Sequence, residues 1–197
     1  MKRARGRPRK FDAEQVLGNA LLVFWTRGYA GTSLDQLADA MAMKRPSIYN
    51  AFGDKQSLYR AALDAFHERL NSGLGLLLVQ QDAKVALNHF FTRALDVYMA
   101  GEPPLGCLIF CTAPAEAIVH PEVREDILEI TTRTDKTLKI FFENARQAGH
   151  FSTETDAVIA AQVTQATLHS LALRSRAGQS RSTLNRMAKG AVEMICR

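Results

Sequence analysis

Apolar residues recur along this chain at the three-to-four-residue spacing of a helix. Within DAEQVLGNALLVFWTR, 12–27, the residues Val16, Leu17, Ala20, Leu21 and Phe24 fall on one helical stripe. No segment shows the period-two alternation with β-branched enrichment that a half-buried strand needs. An all-α fold is therefore predicted, and the breakers divide it. Asp12 suits the N-cap of the first helix and Gly28 its left-handed C-cap. Ser33 suits the N-cap of a second, with Leu34, Leu37, Ala38 and Met41 on one face. Pro46 fits the first turn of a third, which stops at Gly53. Asp54 then caps a long fourth helix through DKQSLYRAALDAFHERL. Further on, Gly101 to Pro104, His120-Pro121, Gly149 and Gly178 separate candidate helices at 83–100, 106–119, 122–148, 155–175 and 180–195.

Charge is distributed unevenly. Six of the first ten residues are Lys or Arg, while the whole chain carries 25 Lys+Arg and 20 Asp+Glu. Without that segment 19 basic residues face 20 acidic ones, so the body is nearly neutral. A neutral body with a basic arm reads either as an appendage that reaches a polyanion or as a solubilising terminus. Hydrophobic residues make up 47%, enough for a core, and three Cys form no disulfide framework. The longest apolar run, GLGLLLV at 73–79, falls far short of the ~18 residues of a membrane span. The N-terminal charge has no apolar stretch behind it, so no secretory signal is expected. A soluble cytoplasmic protein is predicted, with no membrane partner. There is no Gly-rich phosphate loop, no nucleophile elbow and no H-E-x-x-H, so neither an enzyme nor a cofactor is expected. His67-Glu68 reads as an isolated pair on a solvated helix face.

Two short helices at 33–41 and 45–52, joined by a tight turn, have the arrangement of a helix-turn-helix. Leu34, Leu37, Ala38, Ile48 and Phe52 would pack the pair onto the first helix. The start of the second would then face outward, able to enter a major groove. Lys44, Arg45, Ser47 and Asn50 there offer donors for phosphates or bases, and Ser33 and Pro46 complete the candidate DNA-binding set. Tyr49 is either a DNA contact or a core aromatic with its hydroxyl at the rim. Lys55 would clamp a phosphate beside the positive end of the fourth helix.

The stretch TSLDQLADAMAMKRPSIYNAFGDKQSLYRAAL, with FWTRGYAGTS before it, resembles the DNA-binding domain of TetR/AcrR-family transcriptional regulators. Thr32, Ser33, Leu37, Ala38, Ser47, Ile48, Tyr49, Phe52, Lys55 and Leu58 carry the resemblance in order. One departure is Ala42, where the family commonly has Gly in the turn; a left-handed residue there would cost Ala about 1 kcal/mol. Beyond the basic arm (1–10), the resemblance implies a three-helix helix-turn-helix domain (11–56) and a larger helical effector-binding and dimerisation domain (57–197). RGRP within the arm resembles the core of AT-hook peptides. Arg5, Arg7 and Arg9 would lie in a narrow A·T-rich minor groove beside the major-groove reader.

The same resemblance implies a homodimer built on the last two helices, reading a palindromic operator in double-stranded DNA. Val158, Ala161, Gln162, Gln165, Leu168 and Ala172, with Leu184, Met187, Ala191 and Met194, are candidate bundle positions. It also implies a pocket for a small, largely apolar effector, with Phe66, Phe90, Phe91, Met99, Phe110, Phe141, Phe142 and His169 as candidate lining. Cys107 and Cys111 share one face of the sixth helix. They are small buried apolar residues, or Cys107 is a thiol activated by the helix N-terminus, or the pair binds metal with His120. Pro114 should kink or end that helix. The predicted function is a transcriptional repressor released from its operator by a small-molecule or thiol-reactive effector. The rival is an architectural A·T-rich DNA binder without palindrome specificity.

Overall fold

The computed structural model describes residues 13–77 and 82–197, with 71–77 as backbone alone. Nine helices and no strand occur among these residues: α1 Ala13–Arg27, α2 Leu34–Ala40, α3 Arg45–Phe52, α4 Lys55–Leu77, α5 Ala83–Tyr98, α6 Leu108–Glu116, α7 Pro121–Gln147, α8 Ala157–Arg176 and α9 Arg181–Ile195. The basic arm, with Arg5, Arg7 and Arg9, and the proposed cap Asp12 lie outside the described residues.

The first three helices form as their sequence signals dictate. Ser33 accepts a hydrogen bond from the Gln36 N–H, and the Gln36 side chain accepts one from the Ser33 N–H, a reciprocal capping box. Asp54 accepts from the Ser57 N–H at 2.7 Å at the start of α4. Between α2 and α3 the chain makes a Schellman turn: Met43 N–H reaches Ala38 O at 2.9 Å and Ala42 N–H reaches Asp39 O at 3.1 Å. Ala42 supplies the left-handed residue at φ 51°, and it is the one non-glycine with positive φ among the described residues.

α4 outruns the expected segment and continues to Leu77 as one helix. It packs on α1 at one end and on α5, α6 and α7 along the rest, so the division placed at 56/57 falls inside its first turn. Arg60 of α4 grips Asp126 of α7 with two bonds of 2.6 Å. α6 starts later than expected, at Leu108, and ends sooner, at Glu116, two residues beyond Pro114, so the proline does not end it. Before it, Gly106 adopts φ 69°, and a Cβ there would lie 2.5 Å from the Ala172 carbonyl oxygen. That close approach lets Trp25 Nε1 donate to Gly106 O at 3.2 Å, while Arg176 donates to Trp25 O and Leu105 O at 3.1 and 2.9 Å. These bonds join α1, the α5–α6 loop and α8.

Candidate functional site: a reading face and a buried cavity

On α3 the inward residues are Ile48, which is fully buried, and Phe52, which packs partly buried against the core. They stand one helical turn apart, so the intervening positions must face outward. Lys44, Arg45, Pro46, Ser47 and Asn50 are exposed, as is Ser33 at the N-terminus of α2. Tyr49 is 48% exposed, which removes the core reading of its ring. Arg45 is not free-standing: its guanidinium binds the Asp35 carboxylate on α2, with Nε to Oδ1 at 2.7 Å. The pair is solvent-exposed and braces the two helices across the turn. Lys55 is half-buried with its ammonium 4.1 Å from the centre of the Tyr29 ring, and burial lowers its pKa.

The second feature is a cavity enclosed by α4 to α8, with about 40 Å³ open to water centres. Of the residues expected to line it, Phe90, Phe110 and His169 do. Phe66 faces a neighbouring groove with Trp25 and Phe90. Phe91, Phe141 and Phe142 are buried in the core but do not reach the cavity, and Met99 caps the end of α5. Aromatics at helical spacing are core residues by default, and Phe91, Phe141 and Phe142 follow that rule.

Two further expectations need correction, and one open alternative narrows. His67 is not on a solvated face: it is 4% exposed and lines the cavity, while Glu68, one position on, points out. Phe66, His67 and Leu70 continue the inward stripe of α4, a periodic signal that outranks the neighbouring charge. Gln165 and Leu168 also line the cavity, and Ala161, Ala172 and Leu184 are buried inside the subunit, so these bundle positions face its own core. Of the expected set Val158, Gln162 and Met194 (71%) are exposed, and Ile159 at 54%, Val163 and Leu173 at 64% are exposed beside them. Finally, Cys107 is the N-cap of α6 but is fully buried. Burial pushes its thiol up to about 12, against the weaker lowering by the Phe110 and Ile109 N–H groups. Cys111 is raised by burial as well, and neither cysteine lines the cavity. No group of three or more His, Cys, Asp or Glu that could hold a metal occurs among the described residues. His120 packs edge-on to Tyr29 at 5.1 Å.

A short path connects the two features. Ile109 and Phe110, near the start of α6, line the cavity. Thr112 in its middle donates to Leu108 O at 2.6 Å and so must accept from the buried Tyr59 hydroxyl of α4, at 3.0 Å. Glu116 at its end is buried and accepts from the Ala30 N–H, between α1 and α2, at 3.2 Å.

The comparisons now bear on this geometry. Residues 16–62 match the family of bacterial regulatory proteins named for TetR, and residues 83–191 match the tetracycline-repressor-like C-terminal domain.

The chain belongs to the TetR family.

It is a helix-turn-helix transcriptional regulator that binds DNA sequence-specifically. Among relatives of this TetR-family chain, the HTH-type transcriptional repressor ComR of Escherichia coli K12 is 25% identical over 190 residues, 95% of this chain and 90% of that protein. A cysteine mutant of the TetR-family regulator CifR, solved with a 26bp double-strand operator DNA, superposes with a TM-score of 0.85 at 26% identity, covering 95% of this chain and 98% of that one. A TetR-family regulator from Cytophaga hutchinsonii shares the fold, with a TM-score of 0.81 at 24% identity over 92% of each chain. No helix among the described residues is long and apolar enough to cross a membrane.

Proposed function

We propose that this TetR-family chain is a cytoplasmic homodimeric repressor that leaves a palindromic operator when a small molecule enters its cavity. The observation that carries the reading is α6, which lines the cavity at Ile109 and Phe110 and holds the helix-turn-helix end of the molecule through Glu116. The cavity is small as it stands, so a ligand of ordinary size must push its walls apart. Such a ligand binds the widened state better and shifts the equilibrium toward it. α6 would carry that shift to the readers. Pro114 weakens the helix by removing the bond to Phe110 O, which makes α6 the easier wall to move. A Pro114→Ala variant should bind DNA normally and resist release.

On the DNA side, Lys44, Ser47, Tyr49 and Asn50 would meet the major groove and Ser33, Arg45 and Lys55 the phosphates, with Pro46 setting the entry of α3. Arg5, Arg7 and Arg9 would occupy the adjacent minor groove. The exposed apolar positions Ile159, Val163 and Leu173 on α8 and Met194 on α9 support a two-fold bundle between copies.

The test is selection of bound duplexes from a random library by the purified protein at moderate salt, followed by competition with random DNA. A palindrome with A·T-rich flanks is the expected product. Enrichment of A·T-rich DNA without a two-fold motif would favour an architectural binder instead.

A further inference from the structure

The cavity is walled mainly by apolar and aromatic side chains, yet three buried polar atoms on it have no hydrogen-bond partner: Gln165 Oε1, His67 Nε2 and His169 Nε2. Gln165 is the informative one, at 3% exposure. Its amide nitrogen donates to Thr131 O at 3.3 Å and to the Asp135 carboxylate. Both partners accept only, so the amide cannot be turned round. Its oxygen is therefore a fixed acceptor that needs a donor. Burial lowers the pKa of both histidines, His169 to about 4, and Arg133 lowers His67 further, so both rings are neutral at pH 7. A neutral imidazole presents one N–H and one bare nitrogen. No Lys or Arg lines the cavity.

We propose that the cavity takes a neutral aromatic molecule carrying a hydroxyl, a phenol in chemical class, whose O–H donates to Gln165 Oε1 and whose oxygen accepts from an imidazole N–H. The inference rests on the cavity being the effector site and names the chemistry of the effector. The His169 ring lies 3.6 Å from the Phe110 ring, centre to centre, and Phe90 completes a wall suited to a flat ring. A hydrocarbon of the same shape would leave Gln165 Oε1 unpaired. A carboxylate would set lone pairs against that oxygen with no cation to offset its desolvation.

The three cases are separable with p-cresol, toluene and p-toluate, titrated by calorimetry into the full-length protein at neutral pH. p-Cresol should bind about 10- to 100-fold tighter than toluene, the factor that leaving a buried acceptor unpaired carries. p-Toluate should bind most weakly. Gln165→Leu should remove most of the gap between p-cresol and toluene, with thermal melting of the variant reporting that it folds. His169→Phe, which keeps a ring on Phe110, should narrow the gap without closing it. Toluene binding as well as p-cresol, p-toluate binding tightest, or no binding by any of the three would overturn the proposal. The same compounds added to the complex with a selected duplex separate the two readings. p-Cresol that binds with the stated selectivity but leaves the duplex bound supports the cavity chemistry and overturns the effector role.

Discussion

Around the reading face, polar contacts join near neighbours in the chain: Ser33 caps onto Gln36, Met43 closes back on Ala38, and Arg45 returns ten positions to Asp35. In the cavity half, Gln165 reaches back 30 positions to Asp135, Tyr59 meets Thr112 across 53, and Trp25 meets Gly106 across 81. The difference separates two kinds of site. Apart from Arg45 on Asp35 and Lys55 over Tyr29, the outward side chains of the reading face are held by little else in the fold, so operator affinity and stability should be separable there. The cavity is assembled from distant segments, and its polar groups sit where burial is costly. Any ligand affinity there would draw on the same residues that set its stability.

Four experiments bear on this contrast. The largest effect is expected where distant segments close on one another. Gly106→Val would force a β-branched residue into φ 69° and push its Cβ against Ala172 O, so urea unfolding should show a loss of about 2–5 kcal/mol. Next comes acid. His169 has a folded-state pKa near 4 against an ordinary value of 6.5, so the unfolded chain takes up the proton first. Stability from this group is present above about pH 6.5 and declines as pH falls toward about 4, by roughly 2–4 kcal/mol in total. His169→Phe should flatten that part of the pH–stability profile; an unchanged slope would mean the histidine contributes none of it. At the reading face Tyr49→Ala should cost roughly 1–3 kcal/mol in operator affinity but move the unfolding free energy by less than about 0.5 kcal/mol. A comparable loss of stability would erase the distinction between the halves. Smallest is Ala42→Gly, which relieves φ 51° in the turn and should add at most about 1 kcal/mol to stability, measured by the same urea titration.

The legible parts of the molecule follow the same division. Ser33, Ala42, Pro46 and Gly53 could be placed from sequence because caps and turns are governed by a few adjacent residues. The outward set on α3 followed once Ile48 and Phe52 were assigned to the core. The cavity was only partly readable. Phe90, Phe110 and His169 were anticipated, but Phe91 and Phe141 are equally apolar and end in the core instead. α8 carries apolar residues around most of its circumference, so periodicity alone could not say that Gln165 faces inward and Leu173 outward.

What the sequence by itself determined was the all-helical fold, the helix-turn-helix with its left-handed alanine, and the family. Each rests on hydrogen bonds and stripes within a few turns of chain. Tertiary structure alone decided which face of α8 is interior, that His67 is buried, and that the Cys107 thiol is raised instead of activated. These depend on desolvation, and desolvation is set by which distant segments close over a residue, a quantity that spacing along one chain does not contain.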